Sequence, residues 1–389
     1  MSAHHYAGVR YPWQAKVDLR SPYPARFYAR LVSQAFRYGL PAARRGGAAT
    51  AWLARRSLPY GAMAKGLSRL PRSDDPSADS TLRSVTEAWT DLAERSVRLP
   101  KEAPSFTALV LVRAAARTIF LFGDGPEPLL VAKVPHLSGK GVEREAAALQ
   151  EIEGEAVAPR YLGRAGNAHM QEALPGEPLE VVPLSSSTIS RLRWTKGHAA
   201  VAGALLKIAG ASSKAALPDE FSDQLIQRTV ADARLTKATT AALDEAVCSI
   251  ALLEGAVLKH GDTSAQNCLL DPTGAAYLVD WEGARTSGAP GFDVWNFALA
   301  YLEHGVGLKR WSQQEILRAF RSSWNGPFFQ EARSAARRAA IAGGADEAHL
   351  RPLEIAFFGR RVAHRIAAPD AFQTTVGTAT EMLEIVCAS

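Results

Sequence analysis

Two short segments in the last third of the chain combine acids and an amide at a spacing that suits metal-assisted chemistry. The first, HGDTSAQN, spans residues 260–267 and sets Asp262 and Asn267 five residues apart. The second, YLVDWEG, spans residues 277–283 and returns with Asp280 directly after an apolar run. Three such groups can hold a divalent metal beside a reacting hydroxyl, because hard cations prefer oxygen ligands. Since Asp, Asn and Gly are also common turn residues, two ordinary turns are the alternative.

The elements that must position these groups begin with a change in composition near residue 105. Three apolar, β-branched or aromatic runs separated by short polar breaks predict an antiparallel meander. Residues 141–154 then change to helical periodicity, with an apolar stripe along one side. Two further short strands follow before Pro175 and Gly176, and the chain beyond is predicted to be mainly helical. The predicted strands are FTALVLVRA (106–114), RTIFLFG (117–123), PLLVAKVP (128–135), PRYLGR (159–164) and AHMQEAL (168–174).

A length of 389 residues predicts two or three domains or lobes, because a single core rarely grows that large. The predicted regions are an N-terminal extension at residues 1–100, a small β-rich lobe with one helix at residues 101–175, and a larger helical lobe at residues 176–389. Within the extension, short helices are predicted at residues 24–42 and 48–58 and a polar linker at residues 70–80. Ser80 or Thr81 is predicted to cap the helix that follows the linker.

Charge is distributed unevenly along the chain. Residues 1–72 contain thirteen Lys and Arg against one acid, Asp18, whereas residues 73–389 carry 32 basic against 38 acidic residues. A basic, aromatic-rich arm of this kind is compatible with peripheral contact with an anionic membrane surface or an acidic polymer. We favour the simpler interpretation, in which the arm packs its aromatic residues on the main body and exposes its arginines. A nucleic-acid partner is not expected.

The remaining composition favours a cytoplasmic protein. Apolar residues make up 47% and charged residues 22% of the chain, as in ordinary globular proteins. Three scattered cysteines, Cys248, Cys268 and Cys387, are too few for a disulfide framework or a cysteine metal site. No apolar run is long enough for a transmembrane segment, and the first residues lack the apolar core of a signal peptide.

The order of these elements gives the two acidic segments a more specific interpretation. The five-residue step from Asp262 to Asn267 is the spacing of the protein-kinase catalytic loop, and Asp280 follows thirteen residues later, where kinases place a metal-binding Asp. The segments HGDTSAQN and VDWEG, with GAPGFDVWNFA (288–298) and MQEALPGEPL (170–179), resemble the aminoglycoside phosphotransferase family. The resemblance covers about residues 105–305. It implies a bilobal protein-kinase-like α+β fold, with an antiparallel β-sheet lobe, a larger helical lobe and the basic helical extension added.

The resemblance also implies an activity and a set of site residues. The activity is transfer of the γ-phosphate of ATP, with Mg²⁺, to a hydroxyl of a small molecule. Asp262 would orient or deprotonate that hydroxyl, and Asn267 and Asp280 would hold the metal. His260 and Asp293 would have structural roles, Asp293 by capping a helix and bracing the loop.

The β-rich lobe is expected to bind the nucleotide. Lys133, on the third strand, would reach the α- and β-phosphates, as the kinase strand lysine does. Its predicted partner is a helix glutamate, for which Glu143 and Glu145 compete and REAAALQEI favours Glu145. The alternative is a lysine whose stem lies on the sheet and a solvated glutamate. By the same resemblance the hinge residues Gln171, Glu172 and Ala173 would also contact the nucleotide.

Two features depart from the family pattern. The loop between the first two strands reads VRAAART and contains no glycine, so backbone amides cannot approach phosphates closely there. Arg113 or Arg117 is a candidate to replace them by charge. The second departure is the extension itself, which the family pattern does not require. A catalytically weak, kinase-like binding or scaffold protein is therefore the main alternative, and a metal-dependent hydrolase using His260, Asp262 and Asp280 ranks last.

The acceptor is predicted from charge alone. Residues 308–389 hold eleven Lys and Arg against eight Asp and Glu, which disfavours a polycationic aminoglycoside. A neutral or anionic hydroxyl compound such as a sugar or a glycolipid precursor is expected instead. Four aromatic residues in this segment are assigned to the core rather than to sugar stacking, namely Trp311, Trp324, Phe328 and Phe329.

Overall fold

The structure is a computed structural model in which contacts divide the chain into two compact units. Among the described residues, one unit contains residues 76–154 and 159–174, and the other contains residues 155–158 and 176–389. We call them the sheet unit and the helical unit. The residues that the structure describes are 76–104, 107–112, 116–122, 128–135, 140–174, 176–179, 194–212, 214–215, 235–265, 267–271, 273–304, 312–367 and 374–389.

The sheet unit is built on a five-stranded antiparallel sheet in the order β1-β2-β3-β5-β4. The three predicted strands of the meander and the two later ones all form, each within two residues of its predicted start. Helix α3, which the period of residues 141–154 predicts, joins β3 to β4. The elements are α1 Pro76–Glu87, α2 Trp89–Glu94, β1 Thr107–Val112, β2 Ala116–Phe122, β3 Pro128–Pro135, α3 Lys140–Glu151, β4 Tyr161–Ala165 and β5 Ala168–Glu172.

Side-chain alternation gives the central strands two different faces. One face is apolar and carries Ile119, Leu130, Ala132 and Met170 into a buried core. The other face carries Lys133 and lies against α3, because Lys133 pairs with a glutamate of that helix. The sheet is thus a platform with an apolar back and a polar front.

The back of the sheet is covered by residues that were predicted to lie in the extension. Val85, Trp89, Leu92 and Leu99 are buried in the same core as the central strands. The predicted boundary at residue 100 therefore separates no packing unit. Helix α1 also begins at Pro76 instead of after residue 80, and proline is well suited to the first turn of a helix because its missing N–H needs no partner there.

Replacing Trp89 with alanine is expected to destabilise the sheet unit by about 3–5 kcal/mol, because a large aromatic side chain leaves a cavity behind it. The Trp89 side chain is 3% exposed, and its Nε1 donates a hydrogen bond of 3.1 Å to the carbonyl of Pro100. Urea unfolding measures the loss. Val97→Ala in the same segment is the control, since Val97 is 99% exposed. Equal stability of Trp89→Ala and wild type would show that these helices are not part of the core.

The helical unit combines short strands with long helices. Two three-stranded sheets have the orders β10-β9-β6 and β11-β8-β7. Four helices begin at Ser or Thr caps whose hydroxyls accept the amide three residues later, at Thr195, Thr236, Ser312 and Thr375. The strands are β6 Glu177–Pro178, β7 Lys214–Ala215, β8 Gly255–Lys259, β9 Cys268–Leu270, β10 Ala276–Leu278 and β11 Arg285–Gly288. The helices are α4 Lys196–Ala211, α5 Lys237–Ile250, α6 Phe292–His304, α7 Gln313–Ser323, α8 Pro327–Ala342, α9 Glu347–Ala367 and α10 Val376–Cys387.

The predicted α+β composition is confirmed, and so is the assignment of three aromatic residues to the core. Trp324, Phe328 and Phe329 are each no more than 1% exposed. The fourth, Trp311, lies outside the described residues, as do the basic arm at residues 1–72 with its two predicted helices, and Arg113. In the described part of the chain, no helix is both long and apolar enough to cross a membrane.

A fully buried histidine makes the stability of the helical unit depend on pH. His198 caps α4 by accepting the Thr195 amide at 3.2 Å through Nδ1, and aromatic rings including Tyr301 and Phe328 surround it. Burial lowers the pKa of His198 from 6.5 to about 4. Its proton is therefore bound more tightly in the unfolded chain than in the folded one.

Lowering the pH from 7 to 4 is expected to remove about 3 kcal/mol of stability through His198, because this is the free energy of a pKa shift from 6.5 to about 4. The loss begins as the pH falls below 6.5 and levels off near pH 4. Unfolding free energies of wild type and His198→Gln across this range measure it, since glutamine still accepts a hydrogen bond but does not titrate. Identical pH dependence in the two proteins would contradict the expectation.

Candidate active site

The segment HGDTSAQN begins where strand β8 ends at Lys259, so its first residues leave a buried strand and enter a loop. Gly261 has a φ of +82°, which glycine adopts without strain. A side chain at Gly261 would also overlap the backbone carbonyl of Gly283. The loop therefore lies directly against the WEG turn that follows Asp280. Sequence reasoning did not single out either glycine, although both stand beside the predicted site residues.

His260 is buried inside this junction and has a structural role, as predicted. Its Nε2 lies 3.0 Å from the carbonyl of Val279, and its Nδ1 lies 3.3 Å from the amide of Asp262. A carbonyl only accepts and an amide only donates, so the ring is neutral and carries its proton on Nε2. Burial keeps the pKa of His260 below its ordinary value, although three nearby carboxylates act in the opposite direction. The ring thus links the two acidic segments.

Asp293 braces the loop from the first turn of helix α6. Its Oδ2 accepts the amide of His260 at 2.6 Å and its Oδ1 accepts the amide of Gly261 at 3.2 Å. The hydroxyl of Thr263 donates to the Asp293 carbonyl at 2.8 Å. The predicted bracing role of Asp293 is therefore what the structure shows. Two backbone amides held by one carboxylate keep the loop in a single conformation.

The structure brings Asp262 and Asn267 into direct contact. The Nδ2 of Asn267 donates to the backbone carbonyl and to the Oδ2 of Asp262, both at 2.9 Å. Because both partners are acceptors, this nitrogen assignment is the only one that satisfies them. The amide oxygen of Asn267 is consequently turned away from Asp262. Asp262 is exposed, whereas Asn267 is only 9% exposed.

The β9–β10 hairpin places Asp280 near Asn267. The pairing of Cys268 with Leu278 puts Asn267 opposite Val279, whose amide donates to the Asn267 carbonyl at 2.9 Å. Asp280 is the next residue, and its φ of 69° and ψ of 63° are left-handed. Among the described residues other than glycine, Asp280 alone has a positive φ. Such backbone strain is typical of functional positions, and Asp tolerates it better than most residues.

These groups fit a magnesium ion by their chemistry. The Asn267 contacts use its amide nitrogen, so its amide oxygen is the atom that would ligate a metal, and Asp280 would contribute a carboxylate. Mg²⁺ favours a small number of such oxygens and retains waters for its other positions. In the sequence, Asn267 and Asp280 are separated by thirteen positions. The hairpin register is what makes them neighbours.

In the sheet unit, Lys133 and Glu145 form a buried ion pair. Lys133 Nζ lies 2.6 Å from Glu145 Oε2, and both side chains are at most 6% exposed. Glu143, the competing glutamate, instead contacts Arg164 and His169 near the surface. The choice of Glu145 is therefore the one that the structure shows. A lysine held by a carboxylate in this way cannot be a solvated surface residue.

The three predicted hinge residues have different environments. Gln171 shares the front face of the sheet with Lys133, and its Nε2 lies 3.4 Å from Glu145 Oε1. Glu172 points to the back, where the Ser96 hydroxyl donates to its Oε1. Its amide and that of Ala173 donate to the carbonyls of Arg160 at 3.0 Å and Leu129 at 3.2 Å. Of the three, Gln171 has the side chain best placed for a ligand on the front face.

Arg117 does not fill the role suggested for it. It pairs with Val134, a residue of the apolar core, so strand alternation directs it to the back of the sheet. Its neighbour Thr118 lies directly across from Lys133 instead. Sequence reasoning missed Thr118 because only the strand register identifies the residue opposite the lysine. Ser96 was missed for a similar reason, since its partner Glu172 is 76 residues away.

No protein-family model and no curated protein matches the chain. Solved structures similar to it include a choline kinase from Cryptosporidium parvum Iowa II, at 13% identity and a TM-score of 0.41, which covers 80% of this chain and 94% of that one. A putative aminoglycoside phosphotransferase from Ralstonia eutropha JMP134 has 12% identity, coverages of 78% and 98%, and a TM-score of 0.45. An ethanolamine kinase from Plasmodium vivax has 12% identity, coverages of 85% and 95%, and a TM-score of 0.44.

These structures belong to the small-molecule kinase branch of the protein-kinase-like fold. The motifs around Asp262 and Asp280 predict the same branch. The chain is therefore similar to small-molecule kinases of the protein-kinase-like fold.

Proposed function

We propose that this protein is an ATP- and Mg²⁺-dependent phosphotransferase that phosphorylates a hydroxyl of a small molecule. The observation that carries the proposal is the contact of Asn267 with Asp262 at the end of the β9–β10 hairpin, next to Asp280. One carboxylate, one amide oxygen and a second carboxylate are thereby gathered on backbone that is held by Asp293 and His260. Two ordinary turns would need no such arrangement.

Asp262 is the group assigned to the acceptor. Its exposed carboxylate would receive the proton of the hydroxyl as that oxygen attacks the γ-phosphorus and the bond to the β,γ-bridging oxygen breaks. The products are a phosphate ester and ADP. The Asn267 amide would hold the Asp262 carboxylate in one orientation, because it bonds both the side chain and the backbone of that residue.

The phosphates of ATP are assigned to Lys133, with Glu145 holding the lysine in position. Asn267 and Asp280 are assigned to the metal. Mg²⁺ bound to their oxygens would neutralise negative charge on the β- and γ-phosphates. Gln171 is assigned to the nucleotide through its side chain on the front face. Glu172 and Ala173 are assigned contacts with the nucleotide through their backbone carbonyls only.

The acceptor that we propose is a neutral or anionic hydroxyl compound, sugar-like in size, rather than a polycationic aminoglycoside. The support is the net positive charge of residues 308–389, which disfavours a polycation. The neighbouring structures named as choline, ethanolamine and aminoglycoside kinases act on small molecules, and we extend only that size class to this chain.

A kinase-like binding or scaffold protein is the second candidate. The observation that favours it is the glycine-free sequence VRAAART between β1 and β2. Such a protein would bind Mg·ATP without transferring its phosphate to any acceptor. Like the proposed enzyme, it would use the Lys133–Glu145 pair to bind the nucleotide. Unlike the enzyme, it would not require a catalytic role for Asp262.

The experiment that tests the proposal is a screen of hydroxyl compounds for acceptor-dependent consumption of ATP, followed by single-turnover transfer of labelled γ-phosphate. We expect phosphate transfer to a neutral or anionic acceptor, and formation of the phosphate ester should require Mg²⁺. Binding of Mg·ATP with no transfer to any acceptor would favour the scaffold. Absence of Mg·ATP binding by the folded full-length protein would reject both candidates.

A further inference from the structure

The front face of the sheet contains a buried hydroxyl that makes no hydrogen bond within the described structure. Thr118 is 5% exposed, and its Oγ1 has no hydrogen-bond partner. A hydroxyl taken out of water without a partner lowers the stability of the fold. Buried polar groups are usually satisfied, so an exception of this kind commonly marks a place where a ligand or water binds.

Thr118 lies beside Lys133 on the front face of the sheet. In the β2–β3 register, Thr118 lies directly across from Lys133. Residues that are directly opposite in an antiparallel pair have Cβ atoms about 4.5–5.5 Å apart and share a face. The flanking Ile119 and the residues that precede and follow Lys133, Ala132 and Val134, are all in the core on the back. Thr118 and Lys133 therefore belong to the same front-face row.

The environment is suited to an anion more than to an apolar ligand. Lys133 supplies a positive charge that Glu145 holds in place. Phosphate oxygens only accept hydrogen bonds, and a threonine hydroxyl beside a lysine can donate one.

We propose that Thr118 is a phosphate-binding residue that donates its hydroxyl hydrogen to a phosphate oxygen of the nucleotide beside Lys133. The inference rests on the proposed function, since it names a residue of the same nucleotide site. It also accounts for the glycine-free loop. A side-chain hydroxyl on the rigid strand β2 supplies a donor that backbone amides of a glycine-rich loop would otherwise provide.

Thr118→Val tests this in the full-length protein, because valine keeps the shape of threonine and removes the hydroxyl. We expect the Kd for Mg·ATP, measured by calorimetry, to rise about ten- to a hundredfold, the range for a hydrogen bond to a charged group. The affinity for adenosine, which has no phosphate, should not change. The melting temperature without nucleotide should stay equal or rise, since an unsatisfied buried hydroxyl has been removed. Thr118→Ser, which retains the donor, should bind Mg·ATP within a few-fold of wild type.

The matched control is Ile119→Val, the next residue on β2, which faces the core and should leave the Kd for Mg·ATP unchanged. If Thr118→Val does not fold, Thr118→Ser and Thr118→Ala give the same comparison of hydroxyl against none. Wild-type affinity for Mg·ATP in the variants that lack the hydroxyl would overturn the inference and leave the proposed function intact. An equal loss of adenosine and ATP binding would also overturn it, by showing that Thr118 only supports the fold. No Mg·ATP binding by wild type would reject the proposed function and this inference together.

Discussion

Asp262→Asn is expected to lower the rate of phosphate transfer by at least about a hundredfold while Mg·ATP binds nearly normally. The carboxylate is assigned to the acceptor hydroxyl and not to the nucleotide, so its contribution is made in the transition state. Positioned acid–base groups typically contribute about a hundred- to ten-thousandfold. Asparagine keeps the size of the side chain and can still contact Asn267, but it removes the charge and the proton acceptor.

Single-turnover transfer and nucleotide affinity, measured on the same preparation, separate the two effects. Asp244→Asn is a matched control, because Asp244 is exposed and the substitution removes the same charge on helix α5, which carries no assigned residue. Wild-type turnover by Asp262→Asn would show that Asp262 is not the catalytic residue. A loss of both transfer and Mg·ATP affinity would place Asp262 at the metal instead.

Asp280→Ala is expected to abolish the part of nucleotide affinity that depends on Mg²⁺, and transfer with it. Alanine removes one of the two assigned metal ligands and, in the left-handed conformation of residue 280, also introduces about 1–2 kcal/mol of strain. Asp280→Asn separates these effects, since asparagine tolerates that backbone conformation and keeps one oxygen. Its affinity for Mg·ATP should lie between those of wild type and Asp280→Ala.

Titration of nucleotide with and without Mg²⁺ is the measurement, with circular dichroism to show that each variant is folded. The metal assignment would be rejected by a folded Asp280→Ala variant that binds Mg·ATP with the wild-type Kd. Asp262→Asn and Asp280→Ala form a discriminating pair, because the first should lose only transfer and the second both binding and transfer.

Much of the local structure of this protein can be predicted from short stretches of its sequence. The period of residues 141–154 predicts helix α3, and alternation with β-branched residues predicts β3 over residues 128–135 with the same bounds as in the structure. Ser and Thr caps such as Ser312 are local signals of the same kind. These signals can be read from sequence because capping and side-chain periodicity involve residues only a few positions apart. The spacing of Asp262, Asn267 and Asp280 is a similarly local signal.

Helix α1 shows where local signals are insufficient. A polar stretch containing Asp, Ser and Pro predicted a linker at residues 70–80, yet the helix begins at Pro76. The helix is stabilised by packing, since its Val85 is buried in the same core as Ile119 of β2 and Leu162 of β4. Helices of this length draw most of their stability from such contacts rather than from propensity.

Only the tertiary structure decided which side chains become partners. The sequence offered Glu143 and Glu145 to Lys133, and Arg117 as a substitute for the missing glycines. Helix α3 and the strand register instead bring Glu145 to the lysine, turn Arg117 to the back of the sheet and place Thr118 opposite Lys133. A shift of one residue in register would exchange the two faces of a strand, and register depends on burial across the whole sheet. Residue types and spacing therefore determined the chemistry that this chain can offer, whereas pairing between distant strands and helices determined which residues offer it together.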